Sequence, residues 1–394
     1  MILLLILAQA DLWKTVDEAP DTLKASDPQK LYETLKRGRP FAAVAPGETT
    51  ERLSDGQGRV TDLLTIVPPG YNPEKPAGVL LALHGLGGNG NQMKGLLGPF
   101  AAEHHFILVC PTAQKEPEKS PNEDANPLSA AMFKHWWWYR DGDFPLLALS
   151  LLKKRLAIDE NRVILAGASM GGFGTWNVGL RFADRFAALL PLCGGISRNE
   201  FAGARDPAAR KLLLNAFNTP VYFIHGDQDE VVPVGPERWI RDDLKGFGYD
   251  FTYVEVPKGK HDLRKEWPEL RKPLEPWLAS KVRKPHPAEV KHHAIGAYCP
   301  QSYWVRIAEG TAASEVKASV KAQTIDFTSA GAKKITFFLD ESLVDLSKPV
   351  KITAKGKKLF EGKVKPSAEA VLESWRARED RELLYRASVT VTVP

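Results

Sequence analysis

The sequence predicts an α/β protein: a mostly parallel, doubly wound sheet over residues 59–281, followed by a smaller, β-sandwich-like accessory domain over residues 288–394. Two observations carry this. From Val60 onward, short and continuously apolar runs alternate with longer stretches of helical character. That is the pattern of strands buried on both faces and joined by crossover helices. Then comes Val282-Arg283-Lys284-Pro285-His286-Pro287, whose two prolines, two charges and histidine discourage a packed element and mark a linker at 282–287. Beyond it the pattern turns β-rich. A chain of 394 residues is long enough for two such domains.

Taken in order, the chain opens on Met1-Ile2-Leu3-Leu4-Leu5-Ile6-Leu7-Ala8-Gln9-Ala10, an apolar run that ends in an Ala-x-Ala triplet. Residues 1–10 therefore resemble the end of a secretory signal peptide with its small-residue cleavage site, although no Lys/Arg segment precedes the apolar run. Export to a secreted or periplasmic location is the expectation, and a cytoplasmic one if the segment is not a signal. The run is too short to span a bilayer, so no stable membrane insertion is expected. Residues 11–58 are polar with helical periodicity around Leu31 and Leu35, and read as an N-terminal helical extension. The strand-like runs that follow are 63–67, 79–83, 106–110, 163–166, 187–192, 221–224 and 251–256; the helical stretches between them include 144–156, 171–182, 205–217 and 237–247. In the accessory domain, strands are expected over 302–308, 316–327, 334–339 and 350–364, the last folding back at Lys355-Gly356. A helix over 368–378 and a final strand over 385–393 complete it.

Composition bounds the partners. Apolar residues make up 43% and charged residues 26% of the chain, ordinary values for a globular protein. The formal charge is only +5, much of it from lysines after residue 285, which reads as a solvated surface. No dense Arg/Lys patch interleaved with aromatics is present, so nucleic acid is not an expected partner. Cys110, Cys193 and Cys299 are odd in number and widely spaced, which fits neither a disulfide framework nor a metal-ligand pattern. The His104-His105 and His292-His293 pairs lack acidic partners at metal-ligand spacing. No metal and no cofactor is expected, and the oligomeric state is not legible.

The chemistry concentrates at Gly167-Ala168-Ser169-Met170-Gly171, a G-x-S-x-G segment between the apolar run Arg162-Val163-Ile164-Leu165-Ala166 and a stretch able to wind into a helix. A strand turning abruptly into a helix holds a serine on a strained elbow, hydroxyl outward, and needs small residues beside it. A serine hydroxyl is a weak nucleophile, so it needs a base, and the base needs a group to fix its tautomer. Both follow at strand ends, where open α/β sheets place their ligands. After 221–224 comes His225-Gly226-Asp227-Gln228-Asp229-Glu230-Val231-Val232-Pro233, and after 251–256 comes Pro257-Lys258-Gly259-Lys260-His261-Asp262. Asp229 is the expected acid and His261 the base. Asp227 is the rival acid in the same loop, but Asp229 stands closer to the apolar-Pro turn and is the better placed to face inward.

An acyl transfer also needs donors aimed at the developing oxyanion. The backbone N–H of Met170 comes with the elbow. The second is expected at Leu86, in the turn His84-Gly85-Leu86-Gly87-Gly88-Asn89 that follows the run 79–83. His84 is expected to shape that loop and not to act as a base. His135-Trp136-Trp137-Trp138-Tyr139-Arg140 holds four consecutive aromatics. Trp137 and Trp138 are candidate substrate-binding residues, with a buried aromatic cluster under a loop as the other reading.

Residues 59–281 resemble the α/β-hydrolase superfamily. The likeness is to its branch of secreted esterases, which includes polyhydroxybutyrate depolymerase-like, feruloyl-esterase-like and phospholipase/carboxylesterase-like proteins, some described as predicted peptidases. The resemblance is carried by Leu83-His84-Gly85-Leu86-Gly87-Gly88, Gly167-Ala168-Ser169-Met170-Gly171-Gly172-Phe173-Gly174-Thr175-Trp176, Pro191-Leu192-Cys193-Gly194-Gly195, His225-Gly226-Asp227-Gln228-Asp229-Glu230-Val231-Val232-Pro233 and Gly259-Lys260-His261-Asp262. It implies a Ser169–His261–Asp229 triad, an oxyanion hole at Leu86 and Met170, and serine-dependent hydrolysis of carboxylic esters, acyl or feruloyl esters on polysaccharides among them. A serine peptidase on the same scaffold and a non-catalytic polymer-binding protein are the alternatives. The resemblance leaves out the N-terminal extension and the β domain.

Overall fold

The computed structural model describes residues 12–54, 60–113, 144–295 and 299–394. They divide into two compact units: one is Ala43–Lys284, and the other joins the segment ending at Ala42 to Pro285–Pro394.

The first unit is built on an eight-stranded sheet: β1 (Gly47–Ser54), β2 (Val60–Val67), β3 (Ala77–Leu83), β4 (Phe106–Pro111), β5 (Ile158–Ala168), β6 (Ala188–Leu192), β7 (Val221–Gly226) and β8 (Phe251–Val256). Their spatial order is β1-β2-β4-β3-β5-β6-β7-β8. β1 and β2 pair antiparallel, as do β2 and β4; every other neighbour pair is parallel. Every residue of β3 and of β4 is buried, as a strand covered by helices on both faces must be. The chain lays β4 on one side of β3 and β5 on the other. The switch point of the sheet, where α/β folds open a crevice, therefore lies between the carboxyl ends of β3 and β5.

β1 is absent from the expected strands for a physical reason. Its sequence, Gly47-Glu48-Thr49-Thr50-Glu51-Arg52-Leu53-Ser54, has one buried residue, Leu53, and lies at the sheet edge, so it carries no apolar run. The helix Trp267–Ala279 is hidden in the sequence by its prolines, with Pro273 and Pro276 inside it; burial of Leu274 and Leu278 holds it. The expected helix over 205–217 is a short helix, Pro207–Lys211, continued as the 3-10 segment Leu212–Asn218. Arg283, expected in a loose linker, is buried: it donates to Asn161 Oδ1 and to the carbonyl of Asp184 at 2.7 Å.

The second unit contains a seven-stranded sheet. Its backbone is the long hairpin of β11 (Val305–Lys321) and β12 (Thr324–Leu339), with β9 (Glu289–His293) and β10 (Gln301–Ser302) along β11. β13 (Val350–Ala354) and β15 (Ala387–Thr392) pair with opposite ends of β12, parallel and antiparallel respectively, and β14 (Lys357–Gly362) pairs with β13. The β13–β14 turn falls at Lys355 and Gly356, whose φ values of 50° and 77° are those of a tight two-residue hairpin. The helix Ala368–Arg378 packs its buried Val371, Leu372 and Trp375 with Trp13, Leu31 and Leu35. Leu31 and Leu35 project from the amphipathic helix Pro28–Arg37, capped by the Asp27 side chain accepting the Lys30 N–H. The stretch read from sequence as a single extension is thus split: residues up to 42 belong with the C-terminal unit, and Gly47–Ser54 belongs to the large sheet.

Candidate active site

β5 ends at Ala168, and the helix Met170–Arg181 begins two residues on, leaving Ser169 to make the whole turn. Ser169 sits at φ 58°, ψ −117°, a left-handed conformation that strains a residue with a Cβ. The turn is held by the Ser169 N–H donating to the Leu192 carbonyl at 2.8 Å and by the Phe173 N–H donating to the Ser169 carbonyl at 3.0 Å. Only glycine fits behind it: a Cβ on Gly171 would lie 1.9 Å from the Leu83 carbonyl oxygen, and one on Gly167 2.2 Å from that of Gly171. The small residues serve close approach of helix to sheet, and the strain is carried by the serine itself.

His261 lies beyond β8. Its Nε2 is 2.8 Å from Ser169 Oγ and its Nδ1 is 2.7 Å from Asp229 Oδ2. A carboxylate only accepts, so the proton sits on Nδ1, and Nε2 presents a lone pair to the serine hydroxyl, which donates to it. Asp229 is buried in the loop after β7, and its Oδ1 accepts the N–H groups of Val231 and Val232 at 2.9 and 2.8 Å. Burial works to raise its carboxyl, but the hydrogen bonds from His225, His261 and Val232 outweigh that and hold it well below the usual carboxylate range. The structure brings Asp229, and not Asp227, to the imidazole; the Asp227 backbone N–H instead ties the loop to the Val256 carbonyl.

The loop after β3 abuts the nucleophile. A Cβ built on Gly85 would stand 3.4 Å from Ser169 Cβ, which places Gly85 beside the serine side chain. The loop is fixed by the Gly85 N–H donating to Gln92 Oε1 and the Gly88 N–H donating to the Gly85 carbonyl, each at 3.0 Å. His84 is buried, with Nδ1 2.7 Å from the Gly85 carbonyl and Nε2 accepting the Ala113 N–H at 2.8 Å. Both ring nitrogens are engaged by backbone, and burial lowers the imidazole's pKa, so His84 is a neutral brace for the loop. Leu86 lies in this loop, 51% exposed, and Met170 opens the helix after the elbow; theirs are the two backbone N–H groups expected to receive an oxyanion.

Trp137 and Trp138 lie outside the described residues. Three groups near the triad escaped the sequence reading of roles. His225 and Glu237 are buried behind Asp229, and Cys193 is buried at the end of β6. His225 and Cys193 stand inside quoted motifs, so the signal was their place at strand ends; Glu237 had none beyond a helical position. Donor atoms of Cys193, Asp229 and His261 lie within 4.8 Å of one another. Burial pushes the Cys193 thiol far up, and the carboxylate and imidazole are already hydrogen-bonded to each other and to their neighbours. Among the described residues, no helix is long and apolar enough to cross a membrane.

No family model matches the chain, and no curated protein matches it. Solved structures similar to it include an S-formylglutathione hydrolase from Staphylococcus aureus, with 18% identity over 60% of this chain and 100% of that one at a TM-score of 0.46. A second, from Agrobacterium tumefaciens, shows 19% identity over 61% of this chain and 98% of its own at 0.46. A ferulic acid esterase from Anaeromyces mucronatus shows 18% identity over 62% of this chain and 94% of that one at 0.45. The fold stands on its own geometry: the strand order, the switch point between β3 and β5, the strained serine elbow, and the acid and base at the ends of β7 and β8 make residues 43–284 an α/β-hydrolase fold.

Proposed function

We propose that this protein is a serine hydrolase that cleaves carboxylic esters through an acyl-enzyme on Ser169. The observation that carries the reading is the unbroken line from Ser169 Oγ to His261 Nε2 at 2.8 Å and from His261 Nδ1 to Asp229 at 2.7 Å. In the first half-reaction Ser169 Oγ bonds to the ester carbonyl carbon as its proton passes to His261 Nε2. The oxyanion that forms is received by the N–H groups of Met170 and Leu86. The carbonyl–alkoxy bond then breaks, and the Nε2 proton leaves with the alcohol. In the second half, water attacks the acyl carbon, gives its proton to Nε2, and the acid departs as that proton returns to Ser169 Oγ. Asp229 keeps its charge throughout and steadies the imidazolium.

Acyl or feruloyl esters carried on polysaccharides are the substrate class the sequence resemblance supports. The apolar run ending in Ala8-Gln9-Ala10 supports export to where such polymers are met.

The test is a panel of p-nitrophenyl acetate, feruloyl esters and aminoacyl-nitroanilides, with fluorophosphonate labelling alongside. The wild type should turn over esters and take the label. Ser169→Ala should lose the label and at least about 10⁴-fold in kcat. Equal activity in both proteins, or turnover of nitroanilides alone, would overturn the ester reading.

A further inference from the structure

Asp229 is shared between two imidazoles. Besides His261 Nδ1 at 2.7 Å, its Oδ2 has His225 Nε2 at 3.3 Å, and the His225 and Asp229 side chains are both fully buried. His225 Nε2 also lies 2.8 Å from the Val232 carbonyl. A carbonyl cannot donate, so Nε2 must carry a proton, which it gives to Val232 O with Asp229 Oδ2 3.3 Å away beside it. Val232 in turn donates its own N–H to Asp229 Oδ1 at 2.8 Å. The ring, the loop and the carboxylate thus close on one another, and the acid is held from both oxygens.

Behind the ring lies a buried polar row. His225 Nδ1 makes no hydrogen bond among the described residues, and neither does Glu237 Oε2. Glu237 Oε1 accepts the indole N–H of Trp176, from the helix after the elbow, at 3.0 Å. Glu237 and His225 feel each other's charge, and Arg210 and Tyr253 act on or respond to Glu237 from their own elements. Cys193 faces Asp229 from the end of β6, and Asp262 stands beside His261.

We propose that His225 is a positioning residue for the reaction proposed above: its Nε2–H fixes the Asp229 carboxylate and competes with His261 for Oδ2, so that it sets how strongly Asp229 supports the imidazolium. The inference rests on the triad reading, and its failure is separable from failure of that reading because one arm needs no substrate. Removing the competing donor leaves Oδ2 to His261 alone. The imidazolium is then better stabilised, and the catalytic base is lost to protonation at a higher pH.

The experiment compares wild type, H225Q and H225F. Gln can place an N–H near the position of Nε2 without a ring, whereas Phe keeps the ring and removes the donor. H225F should lose roughly 10- to 100-fold in kcat with KM little changed, the scale of one hydrogen bond to a charged group, because a carboxylate no longer fixed by His225 fails to hold the imidazole in line with Ser169, and this outweighs the stronger attraction. The acid limb of its kcat/KM profile should move to higher pH. H225Q should recover most of kcat and return the limb toward the wild-type position. The substrate-free arm is the ¹⁵N spectrum of the wild-type histidines, in which His225 Nε2 should be protonated across the working pH range. Equal losses in both variants with an unmoved limb would overturn the proposal, as would a bare His225 Nε2. If H225F does not fold, the H225Q profile and the wild-type spectrum decide between the same two outcomes.

Discussion

Ser169 illustrates how much of an active site one residue can carry. Its φ of 58° costs on the order of 1–3 kcal/mol for a residue with a side chain, and the surrounding backbone bonds and buried helix hold it there. Glu237 carries a different load. It is fully buried, and burial pushes its carboxyl up to about 7 from an ordinary 4.5. A carboxyl raised on folding adds its full share of stability below the unfolded value and loses it as pH rises through the folded one. Wild type should therefore weaken relative to E237Q between about pH 4.5 and 7, by as much as roughly 3 kcal/mol. The amide keeps an acceptor for the Trp176 indole and mimics the neutral acid. Denaturant unfolding of both proteins at pH 5 and pH 8 checks this, and a constant difference at the two pH values would sink it. At this scale the sequence was most readable where chemistry demands order along the chain: Ser169, Asp229 and His261 were all named from strand ends. Glu237 was not, because nothing in a helical Pro236-Glu237-Arg238 stretch announces that the middle side chain turns inward toward Trp176.

At the scale of elements, the site depends on how near the helix Met170–Arg181 comes to the sheet. The register sets Leu83 of β3 against Gly167 of β5, so the loop after β3 and the elbow leave neighbouring strands side by side. Gly171 then crosses over the Leu83 carbonyl with no room for a methyl group. G171A should lose about 1–3 kcal/mol or more, the usual range for overpacking, and should take up a fluorophosphonate label slowly or not at all. Full labelling with unchanged stability would show that the elbow tolerates a wider spacing. Strands buried on both faces were legible as apolar runs. β1 and the helix Trp267–Ala279 were not: the first is an exposed edge with only Leu53 buried, and the second keeps its helix through packing of Leu274 and Leu278 despite internal prolines. Propensity and pattern fail where tertiary contact supplies the stability.

At the scale of the whole molecule, the sequence reads residues 11–58 as one extension, whereas the segment up to Ala42 clusters with Pro285–Pro394. Leu31 and Leu35 were visible as a helical stripe, but their partners Val371, Leu372 and Trp375 lie at the far end of the chain, beyond the reach of any local pattern. A chain of residues 43–284 should accordingly fold and keep its fluorophosphonate-reactive serine. A chain of residues 12–284 should carry an uncovered Trp13–Leu31–Leu35 face and aggregate sooner. Comparing the two by gel filtration and labelling tests the division, and equal behaviour would show that the first segment does not depend on the last.

That division also has a consequence in time. Residues 12–42 leave the ribosome well before the helix Ala368–Arg378 that covers them. Between the two, the unit Ala43–Lys284 emerges and can fold as synthesis proceeds. The apolar stripe at the front must therefore wait, unpaired, for most of translation. The sheet that bears the serine is thus an insertion within a unit whose two parts are distant in sequence, and that unit can close only after Pro285–Pro394 has been made.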